Sequence, residues 1–215
     1  MGKSAGAGSI EHHITSYGGK GGPLPFQQAL MSSPAFNPKK RSDTQEVLLQ
    51  KFLMYANVST LEQAMQLPSE RLIEANANFV WNSEYGSTSS GPEVDGEYVP
   101  DLPGPLFQKG RFHHNVKNVL VGHGEAEGLL FTSPDINSST TYDTYLRLTK
   151  PDIPDKEVAY IEDVLYPTPG NSTGLQYQRA METVGDNLIC NTYYINKAFW
   201  NQTYSCTCFY SGPHH

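Results

Sequence analysis

Apolar residues in this chain arrive in short runs separated by turn-forming positions. Phe26-Gln27-Gln28-Ala29-Leu30-Met31-Ser32-Ser33, bounded by Pro25 and Pro34, predicts a strand. Asn118-Val119-Leu120-Val121-Gly122-His123 is the clearest buried strand, β-branched and glycine-ended. Thr203 to Tyr210 is a further strand candidate. Between them the period lengthens to that of helices. A Gly-rich turn runs into a helix over Ser9–Ser16. Ser42 and Gln45 have capping-box spacing, and Val47, Leu48, Phe52 and Tyr55 recur on one face. Thr60 with Gln63 repeats the cap signal, and Ser69 opens a helix through Leu72, Ile73, Ala77 and Val80. Two more helices are expected near Asp155–Leu165 and Gly174–Trp200. Lys39-Lys40-Arg41 reads as a solvated turn, and residues 82–96 are polar and turn-rich. No internal repeat is visible. Helices separating short apolar strands predict an α/β architecture with a largely parallel sheet.

Composition narrows the function classes. Of 215 residues, 15 are Lys or Arg and 22 are Asp or Glu, giving a net charge of −7. A nucleic-acid binder would need a basic face. Charged residues are only 17% and aromatics 11%, which excludes an acidic disordered tail. Apolar runs fall far short of the ~20 residues that span a bilayer. The apolar fraction, 38%, is low for a complete core, and 19 Gly with 15 Pro imply many turns. Cys190, Cys206 and Cys208 are too few and odd in number for a disulfide framework. Cys206-Thr207-Cys208 lacks a second ligand pair at zinc spacing, so no metal is expected.

The opening residues lack the apolar stretch of a signal peptide. Four glycosylation sequons nevertheless occur, at Asn57, Asn137, Asn171 and Asn201. Sequons without an entry signal lean towards a secretory ancestry and an incomplete beginning. With Met1 as the true start the expected location is the cytoplasm.

The chemistry resides at the start. Gly2-Lys3-Ser4-Ala5-Gly6 matches G-x-S-x-G, the nucleophile elbow. The serine must sit on a sharp strand-to-helix turn with a strained backbone. Flanking glycines relieve clashes there, and the amide after the serine, on Ala5, faces the developing oxyanion.

The surroundings resemble one family. Gly2 to Ile10, continuing through His12-His13-Ile14-Thr15 to Tyr17-Gly18-Gly19, is similar to the type-B carboxylesterases, the cholinesterase and fungal-lipase branch of the α/β-hydrolases. The resemblance continues at Pro25–Pro34, at Val94-Asp95-Gly96 with Pro100-Asp101-Leu102-Pro103, and at Val121–Phe131. It implies a partial α/β-hydrolase fold: a mostly parallel sheet flanked by helices, with the N-terminal strands missing. Residues 1–215 would form a truncated domain beginning at the elbow and ending near the catalytic His.

The resemblance also implies a Ser-Glu-His triad. Ser4 would be the nucleophile and Glu127 the acid, with Glu125 the weaker match. His215 best matches the base and His214 is the runner-up. The implied reaction is acyl transfer on a small-molecule ester, with neither metal nor organic cofactor and no defined protein partner. The resemblance implies secretion.

Two departures bear on activity. Lys3 stands where the family has a buried Glu, which would place a costly reversed charge near the triad. Most of the oxyanion hole would lie upstream, and only the Ala5 amide remains. The strand near Phe26–Met31 would also expose an unpaired edge. The alternative is therefore a catalytically inactive remnant or pseudoenzyme. His12-His13 read as residues of the packed helix after the elbow, and His113-His114 as a solvated loop. His123 reads as a structural neighbour of the acid, and Trp81 and Trp200 as core or helix-packing residues.

Overall fold

The computed structural model describes residues 1–36, 42–83, 85–86, 90–150, 153–170 and 172–209, with side chains 42–44 left aside. Lys39-Lys40-Arg41, Asn171, His214 and His215 lie outside the described residues, as does the side chain of Ser42. In chain order the elements are β1 (Gly2–Lys3), α1 (Ala5–Thr15), β2 (Gln28–Ser32), α2 (Ser42–Ala56), α3 (Leu61–Met65) and α4 (Ser69–Trp81). They continue with α5 (Pro103–Gln108), β3 (Asn118–Gly124), α6 (Ser139–Thr149), α7 (Asp155–Tyr160), α8 (Thr173–Ala198) and β4 (Thr203–Cys208). A π-helical turn, Ile161–Leu165, extends α7.

The four strands form one sheet in the order β1-β2-β3-β4, and every pairing is parallel. The expected α/β class is therefore observed. β2 is not an edge as expected; β1 pairs with one side of it and β3 with the other. Helix α1 starts at Ala5, directly after Ser4, rather than at Ser9.

Alternation along the strands places Ala29, Met31, Val119 and Val121 on one face. There they pack with Ala7 and Ile14 of α1, Phe107 of α5, and Ile195 and Phe199 from α8 and its end. A second cluster joins Tyr142, Tyr145 and Leu146 of α6 to Val158 of α7 and Ala180 and Val184 of α8. Helix α8 belongs to both clusters.

Several expected faces are rotated. On α2, Val47 is exposed and Leu53 and Ala56 are buried. On α4, Ile73 and Val80 are exposed while Ala75 and Phe79 are buried. The α2 and α4 helices pack on each other, through Phe52 and Phe79 among others. Ser69 lies inside α4, whose N-cap is Pro68. The Thr60 cap is present: its Oγ1 accepts from the Gln63 amide at 3.2 Å. Trp81 and Trp200 are 87% and 77% exposed, not packed. His113 is buried rather than solvated, its Nε2–H donating to the Ser16 carbonyl at 3.1 Å. His12 is buried and His13 exposed.

Helix α1 carries two buried titratable residues. Both carboxylate oxygens of Glu11 and both ring nitrogens of His12 lack a hydrogen-bond partner among the described residues. Burial pushes the Glu11 carboxyl up from 4.5 to about 8. Burial, followed by the neighbouring His13, pushes the His12 imidazole down from 6.5 to about 4. Between pH 4.5 and 8 the folded chain keeps a Glu11 proton that the unfolded chain releases, so this group lowers stability as pH rises. Between pH 6.5 and 4 the unfolded chain binds a His12 proton that the folded chain refuses, so this group lowers stability as pH falls. The slopes oppose each other from 4.5 to 6.5, and above 6.5 the Glu11 slope acts alone. Urea unfolding across pH should show wild-type stability falling between pH 6.5 and 8, by a few kcal/mol at most. Glu11→Gln should remove that fall.

Candidate active site

The elbow is built as its spacing demands. Ser4 joins β1 to α1 at φ 54° and ψ −124°, in the left-handed half of backbone space. Such a conformation costs about 1–3 kcal/mol for a residue with a side chain and must be held by its surroundings. Four backbone hydrogen bonds hold it. The Ser4 amide donates to the Ser32 carbonyl at 2.9 Å. The Ser4 carbonyl accepts from Ala7 at 2.9 Å, Gly8 at 3.0 Å and Ala35 at 3.2 Å. Ala5 is the first residue of α1, so its amide is one of those with no partner inside the helix. Ser4 and Ala5 are exposed.

The two elbow glycines differ. A Cβ on Gly2 would lie 2.4 Å from the Gly6 carbonyl oxygen, so the turn closes only around glycine. A Cβ on Gly6 would meet nothing within 4 Å, contrary to the clash expected there. Gly8, not singled out from the sequence, approaches the Ala35 carbonyl so closely that a Cβ would lie 2.3 Å from it. Lys3 is exposed on β1, so its charge stays solvated and the expected burial cost does not arise.

The candidate acid, Glu127, sits on the turn after β3. The half-buried Glu127 carboxylate accepts from the Gly124 amide and, at 2.6 Å, from the Ser33 hydroxyl, both on Oε1. Ser33 has φ 50°, and its amide donates to the Gly122 carbonyl at 2.7 Å. The dipeptide Ser32-Ser33 therefore touches both ends of the site: Ser32 holds the Ser4 backbone and Ser33 holds Glu127. Glu125 is exposed, and its amide donates to the Cys208 carbonyl at 3.0 Å. Ser33 escaped sequence reasoning because its partner lies 94 residues away.

Helix α8 packs closely behind the turn that carries Glu127. A Cβ on Gly128 would lie 1.9 Å from the Met181 carbonyl and 2.9 Å from the Gly185 amide. Gly185 sits in mid-helix, where glycine costs about 0.5–1 kcal/mol relative to alanine. Here it permits the close approach. His123 lies at the end of β3, with Nε2 3.4 Å from the Thr207 hydroxyl.

These elements match known proteins in sequence and in fold. The carboxylesterase family model matches residues 1–189. The chain belongs to the carboxylesterase family. Carboxylesterase patB of Penicillium expansum is 34% identical over 203 residues, covering 92% of this chain and 36% of that protein. A secreted lipase of Arthroderma benhamiae is 24% identical over 186 residues, covering 80% of this chain and 32% of that one. The crystal structure of Aspergillus niger EstA superposes with a TM-score of 0.74 at 23% identity, covering 96% of this chain and 42% of EstA. The four-stranded parallel sheet and its helices are thus part of an α/β-hydrolase fold, and this carboxylesterase-family chain spans about a third of the length of the curated relatives it matches.

Cys190, Cys206 and Cys208 are free and exposed. Asn57, Asn137 and Asn201 are exposed, as a glycan acceptor requires. No described helix is long and apolar enough to cross a membrane. The glycine geometry predicts a contrast measurable by urea unfolding. Gly2→Ala should destabilise the fold by about 1–3 kcal/mol through overpacking. Gly6→Ala should be neutral, or stabilising by up to ~1 kcal/mol through helix propensity.

Proposed function

We propose that the chain carries the nucleophile and acid of a carboxylic-ester hydrolase working through an acyl-enzyme. The observation behind this reading is the strained Ser4 at the N-terminus of α1, tied through Ser32-Ser33 to Glu127. In the proposed reaction Ser4 Oγ attacks the ester carbonyl and gives its proton to an imidazole, for which His215 is the candidate and His214 the runner-up. The Ala5 amide donates to the oxyanion. The tetrahedral intermediate collapses, the imidazolium protonates the leaving alcohol, and an acyl-Ser4 ester remains. Water, deprotonated by the same imidazole, then releases the acid. Glu127 accepts from the imidazole Nδ1–H and stabilises its charged form.

The substrate class is a small-molecule ester. Family membership and the carboxylesterase and lipase names of the relatives support this reading. Secretion is proposed on the secreted lipase relative and the exposed sequons, with Asn171 among the candidate acceptors. One observation favours the alternative of an inactive remnant: among the described residues Ala5 is the one oxyanion donor identified. Losing a single such donor typically costs ~10²–10³ in rate.

A fluorophosphonate probe reads serine activation without knowledge of the substrate. Labelling of the purified chain should depend on Ser4 and vanish in Ser4→Ala. Glu127→Gln should slow it by at least about tenfold. A folded, monodisperse chain that resists labelling would instead support the inactive remnant.

A further inference from the structure

The strand β4 carries two cysteines that have no part in the proposed ester chemistry. Cys206 and Cys208 lie two residues apart on this end strand, and both are exposed. Strand alternation puts them on one face. Their ladder partners on β3 are both glycines, Gly122 opposite Cys206 and Gly124 opposite Cys208. No β3 side chain therefore shields the thiols from that side. A Cβ on Gly122 would lie 2.5 Å from Cys206 Sγ, and one on Gly124 would lie 3.4 Å from Glu127 Oε1. The Cys206 thiol and the Glu127 carboxylate thus stand over neighbouring same-face positions of β3. The Cys208 carbonyl accepts from the Glu125 amide at 3.0 Å, which ties the end of β4 to the turn that carries Glu127.

Strand geometry and a Cys206–Cys208 disulfide exclude one another. Two steps along a strand separate same-face residues by about 6.6 Å, and the side chains stand roughly perpendicular to the sheet, so the Cβ atoms are about as far apart. A disulfide needs its Cβ atoms about 3.8 Å apart. The two sulfurs can join only if residues 206–208 leave the extended conformation and turn. We propose that Cys206 and Cys208 form a reversible redox switch, whose oxidised form unpairs the end of β4 and releases the Glu127 turn. The step is thiol–disulfide exchange with a low-molecular-weight disulfide, here oxidised glutathione. One cysteine thiolate attacks it, forming a mixed disulfide and expelling one glutathione thiolate. The second cysteine thiolate attacks the protein sulfur of that mixed disulfide, forms the Cys206–Cys208 bond and expels the other glutathione thiolate. The cysteines give up two protons and two electrons, and the glutathione disulfide takes up both. Because bridging opposes β4 pairing, the bond is strained and reduced glutathione reverses it. Oxidation breaks the Cys208–Glu125 hydrogen bond and withdraws the Cys206 thiol from its place beside the carboxylate. Formation of the switch is independent of the hydrolase reading; its effect on catalysis rests on that reading.

The test treats the full chain with oxidised glutathione, then maps disulfides by peptide mass and follows hydrogen exchange of the Glu125 amide. A Cys206–Cys208 disulfide is expected, with the chain lighter by two hydrogens. Exchange at Glu125 should speed up at least about tenfold, because its acceptor is lost. Excess reduced glutathione should restore both. Cys206→Ser and Cys208→Ser should each abolish the disulfide, and Cys190→Ser should leave it intact. Stable mixed disulfides in place of the bridge would overturn the proposal, as would pairing through Cys190. A Cys206–Cys208 bridge that leaves Glu125 exchange unchanged would overturn it too. Fluorophosphonate labelling separates the two readings. Labelling of Ser4 should slow at least about tenfold on oxidation, as the acid turn loses its position. Labelling at an equal rate in both redox states overturns the link to the site. A chain that switches but is labelled in neither state overturns the hydrolase reading and leaves the switch standing.

Discussion

The site depends on the Ser32-Ser33 dipeptide at the end of β2. The Ser32 carbonyl anchors the amide of Ser4, and the Ser33 hydroxyl anchors Glu127. Parallel pairing makes this possible, because the C-terminal ends of β1, β2 and β3 all emerge on the same side of the molecule. A one-residue slip of β2 against β3 would turn Leu30 inwards and Met31 outwards, and would carry Ser33 away from Glu127. Register is held by the packed face: Met31 and Val121, partners in the ladder, are both in the core. Hydrophobic packing thus sets the polar geometry at the strand ends.

The backbone around the site is strained, and the surroundings over-determine it. Ser4 and Ser33 both adopt positive φ, and both are held by backbone hydrogen bonds, Ser4 to Ser32 and Ser33 to Gly122. Glycines at positions 2, 8 and 128 allow backbone approaches that any side chain would block. The long helix α8 serves both clusters and presses on the Glu127 turn through Gly185. Glu11 and His12 add buried polar groups on the helix that follows Ser4, so α1 combines core packing with titratable atoms that lack a partner among the described residues.

Much of this was legible in the sequence because the signals were local. The elbow, the strands around residues 26–33 and 118–123, the Thr60 cap and the long final helix all follow from short-range patterns. What was not legible depended on partners. Periodicity found α2 and α4 but not their buried faces, because the two helices pack chiefly on each other and leave Val47, Ile73 and Val80 exposed. Helix α6 was missed because its capping box uses Ser138 and Thr141 rather than the usual Glu or Gln at the third position. His113 looked solvated beside Arg111, yet Ser16 accommodates its burial, with its carbonyl at 3.1 Å and its hydroxyl at 3.2 Å from Nε2. Ser33 had no signal of its own. Asn118–His123 read as a buried strand, and Val119 and Val121 are buried, but Leu120 between them is 42% exposed.

The most direct measurement is a crystal structure of the chain resolved well enough to place the Ser33 and Glu127 side chains. The expected result is Ser4 at positive φ, its amide on the Ser32 carbonyl, with the Ser33 hydroxyl within about 3 Å of the Glu127 carboxylate. A Glu127 turned to solvent, or a Ser4 in ordinary helical or extended backbone, would contradict the proposed assembly of nucleophile and acid.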